Sequence, residues 1–213
     1  INNNKSLFEF RHGKNAESKI IQHENELAQL YRNSDFLKYK IFIKFLNKQG
    51  YKAVRFGAGE KEIKLNEEGF VDFAGKYREK LGYNGHFLDI FLLHYSYFFV
   101  GGGTGANAAI VTTQRPALAV NAFPWPWLCF PPRSIDMYIP KIYTHSDGQL
   151  VHFCDLLKLS TLIDWRTFYD GGLFFRENKN LSVIDNSSSE ILAAVKEMLT
   201  RVNLNFKDND IHL

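Results

Sequence analysis

The chain has 213 residues, 45% of them hydrophobic, which suits one large domain with a sizeable core. A net charge of +3 is too small to point to nucleic acid, and no apolar run reaches membrane-spanning length, since 87–100 is interrupted by Asp89 and His94. Cys129 and Cys154 fit neither a metal spacing nor a disulfide framework, so a reducing, cytoplasmic compartment is expected.

In chain order, the opening INNNKSLFEF reads as a cut into something longer, without a secretory leader. Residues 1–30 are polar and read as a linker with a partial helix. The domain proper is expected over 31–202 and a frayed polar tail over 203–213. Ser34 or Asp35 can cap a helix over 36–48, where Tyr39, Phe42, Ile43 and Leu46 share one face. Gly50 stops it. A strand over 51–56 breaks at Gly57-Ala58-Gly59, a charged loop covers 60–69, and a second strand covers 70–73.

Gly82-Tyr83-Asn84-Gly85 reads as a turn before an apolar helix over 86–94. A third strand, 97–100, enters Gly101-Gly102-Gly103. A helix starts at about Thr104 and ends before Arg115-Pro116. The fourth strand is 117–121. The run 123–133 holds four prolines with Trp125 and Trp127, and suits neither helix nor inner strand. A last strand covers 137–142, a polar turn 145–148 and a short helix 151–158. Residues 160–180 are irregular. Asn186-Ser187-Ser188-Ser189-Glu190 carries cap-type residues with an acid in the first turn, ahead of a helix over 189–202. Alternating strands and helices imply an α/β domain, a Rossmann-like parallel sheet with helices on both faces.

Ligands in such sheets sit at the carboxyl ends of strands, where Arg55-Phe56-Gly57, Gly101 and Asn121 fall. Strand, glycine turn and helix N-terminus form an anion site, because free N–H groups and the helix dipole converge there. The stretch is not a P-loop, since no Gly-Lys-Ser/Thr follows. Gly101, Gly103 and Ala106 fit a dinucleotide spacing, but the next strand ends Val120-Asn121-Ala122, with no acid for a ribose. Arg55, Lys141 and Arg133 are candidate phosphate partners or surface ion pairs. Arg32 and Asp35 fit a pairing and capping role.

His86 and Asp89 lie within helical reach of one another, with His94 two turns beyond His86, and a structural histidine is the expectation. His145, Asp147 and His152 suit turn chemistry better than a metal, so no metal site is assigned. The Trp125/Trp127 loop suits base or sugar stacking and core plugging equally. No G-x-S-x-G elbow is present.

Several segments, taken in order, resemble a family. They are Tyr31-Arg32-Asn33-Ser34-Asp35, Gly50-Tyr51, Val54-Arg55-Phe56-Gly57, Phe87-Leu88-Asp89-Ile90-Phe91-Leu92 and Phe98-Phe99-Val100-Gly101, then Ile139-Pro140-Lys141, Asp185-Asn186-Ser187 and Glu190-Ile191. Over about 31–201 the chain resembles the C-terminal part of a bacterial family of glycosyltransferases of GT-B architecture, found with surface-polysaccharide genes. It departs at Gly102 and Gly103, where the family usually has Ser or Thr, and at Asn84-Gly85-His86, where it tends to have Arg-Ser-Asp.

The resemblance implies a domain that binds a nucleotide-sugar as co-substrate, with no other cofactor, and transfers the sugar to a glycan acceptor. Gly101, Gly102, Gly103, Thr104 and Gly105 would hold the diphosphate, and Arg55 and Lys141 would meet its charge without a metal. Gly57 and Asn121 complete the donor-binding set. The general base would lie in an N-terminal acceptor domain. The expected place is the cytoplasm, with contact at the inner face of the membrane left open. The rival readings are a non-catalytic α/β binding module and a dinucleotide-dependent oxidoreductase.

Overall fold

The computed structural model describes residues 34–57, 63–74, 76–102, 113–123, 133–162 and 180–209. At the first of these stretches Asp35, not Ser34, is the cap. Its carboxylate accepts the Leu37 N–H at 2.9 Å. A 3-10 turn, Phe36–Tyr39, then leads into helix α1, Lys40–Lys48. Gly50 ends it at φ 86°, a left-handed conformation that glycine adopts without strain. Strands β1, Ala53–Arg55, and β2, Phe70–Asp72, pair in parallel. Helices α2, Lys76–Leu81, and α3, Tyr83–Tyr95, follow.

Strands β3, Phe99–Gly101, β4, Ala117–Ala122, and β5, Met137–Pro140, form a parallel sheet in that order. Strand β6, Ile142–His145, and strand β7, Leu181–Ile184, pair antiparallel. Helix α4 spans Phe153–Leu162 and helix α5 spans Ser188–Asn209.

Every residue of β4 is buried, as an inner parallel strand covered on both faces requires. Side chains alternate across a strand. Leu118 and Val120 therefore meet Tyr39, Phe42, Ile43 and Leu46 of the first helical segment and Ile191, Val195, Met198 and Val202 of α5. Ala117 and Phe99 meet Leu93 of α3. The sheet is thus flanked by helices, as the sequence pattern predicts.

The inventory of elements departs from the sequence reading in five places. The strand expected over 137–142 breaks at Lys141 into β5 and β6. Strand β7 and helix α2 were not anticipated. The expected turn at 82–85 shrinks to Gly82, at φ 52°, because Gly85 is helical. A Cβ on Gly85 would stand 3.0 Å from Arg78 Cγ, so close packing, not turning, asks for glycine there. Helix α5 continues past 202, and Asn203 on it accepts the Tyr97 hydroxyl at 2.7 Å and the Tyr51 hydroxyl at 3.4 Å. The linker at 1–30, the helix expected from Thr104 and the Trp125/Trp127 loop lie outside the described residues.

Candidate functional site

The parallel register pairs Gly101 with Ala119 and Ala122 with Pro140. Gly101-Gly102, Asn121-Ala122 and Pro140-Lys141 therefore leave the sheet at one edge, the carboxyl edge where α/β folds place ligands. Asn121 is fully buried and adopts a left-handed φ of 51°. The pairing of β4 with β5 shifts register between Ala119 and Ala122, around this residue.

A polar layer lies under this edge. Asn121 Oδ1 accepts the Asn186 N–H at 2.6 Å, and Asn186 Oδ1 accepts the Asn121 N–H at 2.7 Å. Asn186 Nδ2 donates to the Pro140 carbonyl at 2.8 Å, so one side chain ties the ends of β4 and β5 together. Asn121 Nδ2 donates to Ser34 Oγ at 3.0 Å. The Tyr39 hydroxyl joins the same group. Burial pushes its pKa up, hydrogen bonds with Ser34 and Asn121 pull it down, and the Asp185 carboxylate pushes it up again.

Charge enters through Lys141, whose side chain is 4% exposed and whose Nζ lies 2.6 Å from Asp185 Oδ1. Lys38 approaches the other oxygen of Asp185 at 3.8 Å and is the more exposed of the two lysines. Beyond Asp185, Ser187 and Glu190 form a capping box at the start of α5. Glu190 Oε2 accepts the Ser187 N–H and hydroxyl, each at 2.7 Å, while Ser187 Oγ accepts the Glu190 N–H at 3.2 Å. The Ser187 hydroxyl and then its N–H hold the Glu190 carboxyl below its ordinary value.

Arg55 ends β1, and its Nη1 reaches both oxygens of Asp72, its register partner on β2, at 2.9 and 3.1 Å. Asp72 also accepts the N–H groups of Ile63 and Ala74, and the guanidinium lies over the Phe36 ring, 5.2 Å from its centroid. Arg55 and Lys141 are thus both held by carboxylates. Gly57, at φ 130°, needs its glycine for conformation. Gly101 needs it for packing, because a Cβ there would overlap the Phe99 ring.

Asn121 and Lys141 come together at one edge with Ser34, Tyr39, Asp185 and Asn186. Arg55 and Gly57 stand at the neighbouring strand end, where Phe56 meets Phe99 at 5.9 Å. Gly103, Thr104 and Gly105 lie outside the described residues. Sequence reasoning gave Tyr39 only an apolar role and left Asp185-Asn186 out of the site set. The available signal was Asn121 itself, a polar residue at the end of an otherwise apolar strand.

Elsewhere, buried Arg78 gathers Asp89 and His86. Its Nη2 lies 2.7 Å from Asp89 Oδ2 and 2.9 Å from His86 Nδ1. The expected His86–Asp89 neighbourhood is therefore mediated by an arginine the sequence reading passed over. Arg133 clasps Asp136 through Nε at 2.7 Å and reaches the Arg115 carbonyl, at the opposite, amino edge of the sheet. Asp147 Oδ1 accepts the Gln149 N–H at 2.9 Å, which is turn chemistry. Among the described residues no cluster of three or more metal-ligating side chains occurs, and no helix is long and apolar enough to cross a membrane.

Comparison with protein-family models, with curated proteins and with solved structures finds no match to this chain.

Proposed function

We propose that this domain binds a nucleotide-activated sugar, as the donor-binding part of a glycosyltransferase of GT-B type acting on a glycan acceptor. The observation that supports it is the convergence of the glycine exit of β3, the left-handed end of β4 and the lysine end of β5 on one carboxyl edge. In this reading the exit at Gly101-Gly102 lets a diphosphate approach the backbone. Lys38, partly exposed beside Asp185, is the cation best placed to turn toward the charge that develops on the leaving group. Lys141 and Asn121 keep the edge in shape, since both side chains are used within the fold.

Calorimetric titration with UDP-, GDP-, CDP- and CMP-sugars tests this reading. Binding is expected for one nucleotide class, with Gly102→Asp weakening it at least roughly ten-fold by setting a carboxylate against the diphosphate. Absence of binding across all four classes, or indifference to Gly102→Asp, would overturn it. A second reading, a non-catalytic binding module, draws support from the ion pairs already closed at Arg55 and Lys141. Sugar transfer by the intact gene product separates the two. A dinucleotide site draws less support, because buried Asn121, where a ribose-binding acid would stand, is bonded to Asn186 and Ser34.

A further inference from the structure

Helix α3 is apolar on two opposite faces. Its inner face carries Leu88, Leu92 and Leu93, and Leu93 packs on Phe99 and Ala117. Its outer face carries Phe87, Ile90, Phe91 and Tyr95, spaced to form one stripe, with exposed His94 among them and its ring 4.9 Å from that of Tyr95. The four stripe residues are 68%, 50%, 44% and 68% exposed. The Phe91 ring lies 4.5 Å from that of Tyr95 and 6.3 Å from that of Phe87, so the stripe is continuous. The only formal charge on the helix, Asp89, is turned to Arg78. A helix with apolar residues on opposite faces is suited to burial on both.

We propose that the outer face of α3 is the two-fold interface of a homodimer, with α3 packed on α3 of a second copy. Charge favours this occupant. A stripe without formal charge meets itself across a two-fold axis without repulsion. An anionic lipid surface would call for Lys or Arg along the helix flanks, and α3 has neither.

Area favours it as well. At ~200 Å² per aromatic side chain, the stripe offers roughly 400 Å² of apolar surface per chain. A two-fold pairing would then bury about 800 Å² of apolar area, or about 1,300 Å² in all at the usual polar share, which is the size of a specific interface. The inference stands apart from the nucleotide reading and does not depend on it.

Sedimentation equilibrium of the whole chain tests it, from about 1 to 100 μM, the range of ordinary reversible association. The wild-type chain is expected to show the dimer mass. The pair Phe87→Asp and Phe91→Asp should return it to the monomer with an unchanged far-ultraviolet circular dichroism spectrum. The single change Tyr95→Arg should weaken association at least roughly ten-fold by placing like charges across the axis. Leu150→Asp, at an exposed leucine outside α3, should leave the dimer intact. A wild-type chain that stays monomeric throughout, including one that binds vesicles instead, overturns the proposal, and so does a dimer indifferent to the α3 changes. The wild-type measurement decides even where a variant fails to fold.

Discussion

Asn121 and Asn186 hold each other twice, each side-chain carbonyl accepting the other's backbone N–H at 2.7 and 2.6 Å. The pair joins the end of β4 to the entry of α5. It also offsets the left-handed conformation of Asn121, which costs a residue with a side chain about 1–2 kcal/mol.

Asn186→Ala strands the buried Asn121 N–H and removes the bond to the Pro140 carbonyl. A loss of about 2–4 kcal/mol is expected, read as a lower urea midpoint at unchanged m. At the other partner, Asn121→Gly should be milder than Asn121→Ala by about 1 kcal/mol, because only the alanine keeps the strain. Equal losses at Asn121 would show that its backbone conformation is not what matters.

Lys141 and Asp185 form the other tie at this edge. Lys141→Met leaves Asp185 with Lys38 alone, at 3.8 Å, and should cost about 3 kcal/mol. Adding Asp185→Leu should restore most of that, since an unpaired charge is worse than an apolar pair. A double variant as unstable as the single one would remove the ion pair from the account.

Tyr39 predicts an alkaline limit. Its folded-state pKa is raised, chiefly by burial, above the unfolded value of about 10. The native state therefore keeps a proton that the unfolded chain gives up. This contribution to stability is complete below the unfolded value and is lost as pH rises through the folded one. Titration followed by phenolate absorbance should show a late-ionising component that Tyr39→Phe removes. An unchanged titration in that variant would contradict the assignment.

Glu190 predicts an acid limit. Its folded-state pKa is lowered by the Ser187 hydroxyl and N–H. Its contribution is present above the unfolded value of about 4.3 and disappears as pH falls through the folded one. Glu190→Ala should cost about 1 kcal/mol at neutral pH, in line with a lost cap. The gap from wild type should close in acid, once the native carboxyl is itself protonated. A gap independent of pH would point to packing instead.

Gly101→Ala drives a methyl group into the Phe99 ring and should cost about 1–3 kcal/mol. In a Phe99→Leu background the added penalty should largely vanish. If it persists there, the glycine serves the backbone and not the ring.

The helical segments at 36–48 and α5 were legible because their apolar residues repeat at helical spacing, and β4 because it is short and apolar. Gly85 misled the reading. Asn84-Gly85 has turn chemistry, but the glycine answers to Arg78, a neighbour that local pattern does not reveal. The antiparallel pair was hidden because Lys141 sits between two strand-forming runs that read as one. At the site, Arg55 and Lys141 were visible as cations at strand ends. Their carboxylates were not, because Arg55–Asp72 and Lys141–Asp185 are set by pairing between distant segments.

The register of β6 and β7 has a practical reach. Ile142 lies opposite Ile184, and Thr144 is bonded to Ser182 by their hydroxyls at 2.8 Å. One step further along the same ladder, Lys141 faces Asp185. The ion pair is thus inherited from strand alignment, and the Thr144–Ser182 hydroxyl contact acts as a stop against slippage. An extra residue between Leu181 and Ile184 would carry Asp185 and Asn186 out of step with β4 and β5 together. The same residue added before Leu181 would leave them where they are. For anyone grafting or shortening this domain, the safe place to cut is set by those few strand residues.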